Sequence, residues 1–422
     1  MADETGRAAA LLSPYRVLDL TQEDGWLCGR LLADLGADVV KIEPPDGDPG
    51  RWHGPFYHDQ VDPEKSLPWW AYNANKRGIT LDLDTPGGQA LFRRLAHKAD
   101  FVIESYAPGY MAARGLGFQD LHGLFPQLVY TSITPFGQTG PYAAYHGSDL
   151  IAIAMSGFMN LVGEPDRPPL RAILPQAPMW TSMYAASGTL LAHHYRRKTG
   201  QGQHVDASLQ AGMLWALANA PSFWTLSQQD LVRAGTQIVG RSIHGARMQA
   251  ISPCRDGYIN FIIYGGEAGK HSNQAMVAWM AERGMAPDWL KEKDWDKFNV
   301  ATSTQEEIDA IEKPFSAFLA TLTKEEFGNE SAKRGILGYP VNNARDILED
   351  PQLAARDFWK PVEHPELHAA FKYPGRFAKF SGSEPRDGRR APCIGQHNDQ
   401  VYVNELGLSK QELASLRQDR VV

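Results

Sequence analysis

Polar and apolar positions alternate over residues 15–21 (YRVLDLT), which predicts a strand. Residues 25–36 (GWLCGRLLADLG) place Leu27, Leu31, Leu32 and Leu35 on one helical face. Residues 37–43 (ADVVKIE) read as a second strand, stopped by Pro44 and Pro45. Strand, helix and strand within about 30 residues make a βαβ unit, whose strands pair in parallel through a right-handed crossover. The pattern recurs as a strand at 78–83, a helix at 85–99 and strands at 100–103 and 128–133. Long helical stretches at 149–163 and 179–197 follow, then a polar turn (KTGQGQ, 198–203) and a strand-like HVDASL. Beyond Ser222 the texture changes. Residues 240–256 carry loop signals, 257–263 read as a strand and 270–327 as several amphipathic helices. From 340 to 392 the chain is dense in Pro, Gly, Arg and Asp, which predicts a long extended crossing segment. Ser409 with Glu412 three residues on forms a capping box for a terminal helix within 405–416. The expected division is a large α/β domain at 1–224, a small domain at 225–330, and a crossing segment at 331–422 that returns to the large domain.

A chain of 422 residues is long enough for two or three domains. With 43% hydrophobic and 22% charged residues it has the balance of a folded chain. The net charge of −7 lacks the basic footprint of a nucleic-acid binder. Cys28, Cys254 and Cys393 are odd in number and far apart, which argues against a disulfide framework and fits a reducing compartment. No apolar run reaches the ~18 residues of a membrane span. Residues 1–16 lack a basic flank before an apolar stretch. The expectation is a cytoplasmic protein that engages neither membrane nor nucleic acid. No CxxC or HExxH spacing occurs, so no metal is expected.

Local chemistry is less specific. The first βα turn, Thr21 to Gly25, precedes a helix N-terminus, which favours anions. Glu43 ends the second strand, where a dinucleotide fold places its ribose-binding acid. GxGxxG is absent, however, and Gly25 and Gly29 read better as close helix–sheet packing than as a nicotinamide site. Asp149, after His146-Gly147-Ser148, reads as a helix N-cap or as a site acid. Tyr264-Gly265-Gly266-Glu267 reads as a plain turn or a mobile loop over a site, and His193-His194 as a satisfied helical pair. Trp69, Trp70 and Tyr72 fit a core or a lid over an apolar substrate.

Taken in order, five blocks resemble the class III (family III, CaiB/BaiF-type) CoA-transferases. They are VLDLTQEDGWLCGRLLADLGADVVKIEPPDGDPGR (17–51), NANKRGITLDLDTPGGQALFRRL (73–95), ADFVIESYAPGYMAARGLGF (99–118), TSITPFGQTGPYAAYHGSDLIAIAMSGFMNLVGEPDRPPLR (131–171) and YRRKTGQGQHVDASL (195–209). The resemblance implies a Rossmann-like large domain with a parallel sheet, a smaller α/β domain, and two chains interlocked as a dimer. It implies coenzyme A or acyl-CoA as substrate, with neither metal nor nicotinamide. It places the CoA contacts on Gln22, Glu23, Asp24, Leu81, Ser105, Tyr106 and Tyr110. Ser105 stands where the family carries Asn, and Pro44 where a basic residue is often found.

The family's chemistry uses an Asp nucleophile. It attacks the acyl-CoA carbonyl, giving an acyl–aspartyl anhydride and CoA thiolate; the thiolate forms an aspartyl–CoA thioester that the acceptor acid resolves. The matching position here is Pro178, and no Asp or Glu occurs from Ile173 to Gly188. Three readings remain open. The chain is the non-catalytic subunit of a heteromeric CoA-transferase, supporting a paralogous subunit that carries the Asp. In that reading succinyl-CoA is the expected donor, and a small carboxylic acid, with benzylsuccinate the candidate, is the acceptor. Alternatively it is an active homodimeric CoA-transferase or acyl-CoA racemase using another carboxylate, Asp149 or Glu267. In the third it is a CoA-binding or structural homologue without turnover.

Overall fold

The computed structural model describes residues 10–383 and 388–422. The chain divides into two compact units. One comprises the described residues up to Met159, with Arg171–Gln229 and Pro351–Val422; the other comprises Asn160–Leu170 and Asp230–Asp350.

The first unit is built on the six strands β1 (Arg16–Leu20), β2 (Asp38–Glu43), β3 (Arg77–Thr80), β4 (Phe101–Glu104), β5 (Val129–Thr134) and β6 (His204–Ser208). They pair in parallel in the order β3-β2-β1-β4-β5-β6. This is the doubly wound order, whose direction reverses between β1 and β4, so ligand crevices are expected at the carboxyl ends of those strands. Its helices are α1 (Trp26–Asp34), α2 (Leu67–Asn73), α3 (Pro86–Ala96), α4 (Phe118–Leu124), α5 (Asp149–Met155), α6 (Ala177–Thr199), α7 (Leu209–Leu214) and α8 (Ala220–Ser227). Each face of the sheet has its own core. Leu18, Val40, Ile79 and Val102 pack with Phe92 and Leu121, while Val17, Val39, Phe101 and Val129 pack with Leu32, Ala185 and Leu209.

The second unit holds β7 (Gln237–Ile238), β8 (Met248–Gln249), β9 (Ile251–Cys254), β10 (Gly257–Phe261), α9 (Gly266–Glu282), α10 (Asp288–Lys291), α11 (Gln305–Leu319), α12 (Lys324–Arg334), β11 (Gly338–Pro340) and α13 (Ala344–Leu348). An antiparallel sheet in the order β11-β10-β9 packs Ile259 and Phe261 against Met276, Trp279, Phe315 and Phe318.

Two expectations differ from the structure. The helix expected at 149–163 ends at Met155, and Gly157 then takes φ +85°. The segment expected to run extended over 340–392 instead folds locally. It forms α14 (Pro351–Ala355) and an antiparallel hairpin of β12 (Trp359–His364) and β13 (Ala369–Pro374). The hairpin buries Val362 and Tyr373 against Trp26, Trp69 and Trp70, which repays the ordering of a Pro- and Gly-rich stretch. The chain then returns along β3. Asn398 accepts from the Thr80 N–H (2.9 Å) and the Tyr402 hydroxyl donates to the Thr80 carbonyl (2.7 Å), so side chains cover this sheet edge. The terminal helix α15 (Lys410–Gln418) starts with the expected Ser409–Glu412 capping box.

The first βα turn rests on buried charge. Lys76 Nζ lies 2.7 Å from Asp19, both fully buried, and donates to the Trp26 carbonyl and Asn73 Oδ1 at 2.8 Å each. Burial pulls the Lys76 ammonium below its ordinary pKa while Asp19 pushes back. Removing one partner of such a pair leaves the other charge uncompensated. Lys76→Met should therefore cost about 3–5 kcal/mol of folding stability, read as a lowered urea midpoint; a loss under about 1 kcal/mol would show that the pair does not hold the turn.

Candidate active-site cleft

β1 and β4 pair to their ends, Leu20 beside Glu104, and the switch point of the sheet lies between them. Asp19 accepts from the N–H and hydroxyl of Thr21 (2.9 and 2.6 Å), which directs the turn Thr21 to Gly25 out of β1. The Gln22 N–H donates to Ser105 Oγ at 2.7 Å, joining this turn to the segment after β4. The cleft has a volume of about 840 Å³, within the range of small-molecule sites. Gln22, Glu23 and Asp24 line it together with Asp149 and Pro178. Trp26, Asp48, His53, Tyr72 and Arg171 are also in its wall.

Tyr106 and Tyr110 form a stacked pair with ring centroids 4.3 Å apart and planes at 21°. The Arg114 guanidinium sits 3.5 Å from the Tyr110 ring centroid and donates from Nε to Asp84 at 2.8 Å. A flat aromatic pair with a cation over one face suits the recognition of a base or another planar group. Arg114 was not singled out from the sequence; its only signal is its position four residues after Tyr110. Glu104 is buried, accepts from the Tyr106 N–H at 2.7 Å, and is pushed up to about 7 by that burial. Leu81 is 2% exposed and packs in the core beneath the tyrosines.

The carboxylates have distinct settings. Ser148, not Asp149, caps α5, its hydroxyl accepting from the Ile151 N–H. Asp149 Oδ1 instead accepts from the N–H groups of Gln176 (2.8 Å) and Ala177 (2.9 Å), at the start of α6. Its Oδ2 is buried without a hydrogen-bond partner. Pro178 lies in the first turn of α6, where a missing N–H costs nothing. Asp24 is pushed up to about 6, by burial first and then by the neighbouring Glu23 and Asp149. Glu23 faces His53 Nδ1 at 2.5 Å.

Other candidates have different places. Glu43 is fully buried and takes Arg51 in two bonds (2.6 and 2.9 Å), with the Asp48 N–H on the same carboxylate, so it is not a ribose acceptor. Trp69 and Trp70 are core residues, 1% and 7% exposed, while Tyr72 faces the cleft. His193 pairs with Arg196 (2.9 Å) and packs on Tyr15. Glu267 is exposed in the first turn of α9 and belongs to the other compact unit. Gly29 does approach the sheet closely, since a Cβ there would stand 2.0 Å from Asp19 Oδ2. Among the described residues no group of three or more His, Cys, Asp or Glu is placed to hold a metal ion, and no helix is long and apolar enough to cross a membrane.

Asp24 gives the cleft a pH signature. Its folded-state pKa of about 6 lies above the ordinary 3.8, so the unfolded chain ionises first. Stability is then lost as pH rises from 3.8 through about 6. Asp24→Asn should melt at a higher temperature than the parent at about pH 7.5 and at the same temperature at about pH 3.5; equal melting at both would show that Asp24 is not strained by burial.

The model of CoA-transferase family III matches residues 12–398. The chain is 37% identical over 405 residues to succinyl-CoA:(R)-benzylsuccinate CoA-transferase subunit BbsE of Thauera aromatica, covering 96% of each chain. It is 31% identical over 413 residues to succinyl-CoA–D-citramalate CoA-transferase of Chloroflexus aurantiacus, covering 97% of this chain and 98% of that one. A solved CaiB/BaiF family protein from Brucella suis superposes with a TM-score of 0.78 at 29% identity, over 94% of this chain and all of its own. With the doubly wound sheet and a cleft bordered by the turn after β1, these matches make the chain a member of CoA-transferase family III.

Proposed function

We propose that this chain is the non-catalytic subunit of a CoA-transferase that moves CoA from succinyl-CoA to a carboxylic acid, with benzylsuccinate the candidate acceptor. A paralogous subunit supplies the catalytic Asp. The observation that carries this reading is the start of α6. Pro178 offers no side-chain oxygen there, and Asp149, which lines the same cleft, is committed to two backbone N–H groups with its other oxygen buried. A nucleophile must present an accessible lone pair to the acyl carbon. The relative at 37% identity is itself named as a subunit.

In this reading CoA lies along the β1–β4 crevice. The turn Gln22 to Asp24, with Leu81 beneath and Ser105 alongside, borders its path, and the stack of Tyr106 and Tyr110 receives its base. Tyr72 is the aromatic side chain offered to a bulky acid. A paired chain also suits the exposed apolar run of α8, where Phe223, Trp224 and Leu226 are 43%, 53% and 82% exposed. Single exposed apolar residues are ordinary, but large clusters mark interaction surfaces. The reading is of a protein that works in the cytoplasm.

A second reading, turnover by this chain alone through another acid, draws on Asp24 and Asp149 sharing the cleft. The two separate by assay. The purified chain should transfer no CoA from succinyl-CoA to benzylsuccinate, and should become active when co-expressed with a family member carrying Asp at the position of Pro178. Turnover by the lone chain, abolished by Asp149→Asn, would establish the second reading instead.

Pro178→Asp tests the position directly. Hydroxylamine treatment of the variant with succinyl-CoA should yield an aspartyl hydroxamate at residue 178, detected by peptide mass, while the parent yields none. Absence of the adduct would mean that the cleft does not bring a thioester to this point.

A further inference from the structure

The charges that line the cleft are unevenly committed. Four acids face it among the described residues, Glu23, Asp24, Asp48 and Asp149. Three of them have partners. Glu23 faces His53 Nδ1 at 2.5 Å. Asp48 lies 3.0 Å from Lys41 Nζ and accepts from Trp26 Nε1 (3.2 Å) and from the Gly50 N–H (2.9 Å). Asp149 holds the two N–H groups that precede Pro178. Asp24, the fourth, is raised by burial first and then by Glu23 and Asp149, with no cation drawing it back.

Against these acids the lining sets a single permanently charged cation, Arg171. Its side chain is exposed and makes no hydrogen bond, ion pair or ring contact among the described residues. Residues 171–176 form neither helix nor strand and lead into α6, whose first turn holds Pro178. Ile173 and Leu174, in the same stretch, line the cleft while 92% and 62% exposed, and Leu150 of α5 lines it while 46% exposed. A free guanidinium thus shares the wall with aliphatic side chains that water still reaches. A dicarboxylic acid joined to CoA through one carboxyl keeps the other as an anion. In a cleft with four acids that anion is opposed by like charge. A guanidinium answers it with two parallel donors matched to the two carboxylate oxygens. His53 is the other basic side chain of the wall, and Glu23 already holds its Nδ1.

We propose that Arg171 is the specificity residue of the cleft, binding the free carboxylate of a dicarboxylic acyl group while Ile173, Leu174 and Leu150 cover its carbon chain. The acid is then selected for its second carboxyl, not for its length alone. This rests on the reading of the cleft as the site that receives CoA and its acyl group.

Titration calorimetry of the full chain tests it with two pairs of ligands. Butyryl-CoA carries a methyl group where succinyl-CoA has its terminal carboxylate, and 4-phenylbutanoate carries hydrogen where benzylsuccinate has one of its carboxylates. The dicarboxylic member of each pair should bind about tenfold more tightly. Arg171→Met should abolish that preference by weakening the dicarboxylic member alone, and unchanged binding of butyryl-CoA shows that the variant is folded. Arg171→Lys should keep part of the preference. A preference absent from the parent, one that survives Arg171→Met, or one lost on His53→Gln instead would overturn the proposal. Tyr110→Ala tests the CoA path separately, since it should weaken both acyl-CoA ligands. If it does not, while the free acids still separate through Arg171, that path fails and the carboxylate subsite stands.

Discussion

The cleft exists because one ammonium group is held where water cannot reach it. Lys76 Nζ ties Asp19 at the end of β1, the first carbonyl of α1 and Asn73 of α2 into one point. Asp19 in turn holds both polar groups of Thr21, so the chain leaves the sheet in a fixed direction. The approach of α1 is close enough that Gly29 has no room for a Cβ. A buried pair of this kind returns little net stability, because desolvation of both charges offsets their attraction. What it supplies is direction: an apolar pair of equal volume would fill the space without choosing where the turn points.

Much of this architecture was legible because burial and periodicity coincide. The alternation at 15–21 and the leucine face at 25–36 are the packing surfaces of β1 and α1, and Gly25 and Gly29 were rightly read as close-packing residues. The hairpin of the C-terminal segment was missed for a physical reason. Its turn formers dominate the composition of 340–392, whereas the two residues that bury it, Val362 and Tyr373, are single apolar positions whose partners are tryptophans far earlier in the chain. The function of Asp149 was invisible for the same reason. A carboxylate at a helix start reads as serving its own helix, and nothing local announces that it caps one beginning 28 residues later.

The contact made by Asp149 also bears on what the cleft can accept. A helix N-terminus ordinarily offers free N–H groups and a favourable dipole to an anion. At α6 the N–H groups of Gln176 and Ala177 are already taken by a carboxylate of the same chain, and the next residue, Pro178, has none to give. An incoming carboxylate or thiolate meets Asp24 and Glu23 as well as Arg171 and His53, and Asp24 already resists ionisation, through burial first and then through Glu23 and Asp149. Like charges in a partly buried site oppose one another by several kcal/mol at contact distance. In the proposed function, the step that builds charge therefore belongs to the paralogous subunit, and this chain contributes binding surface and a folded partner.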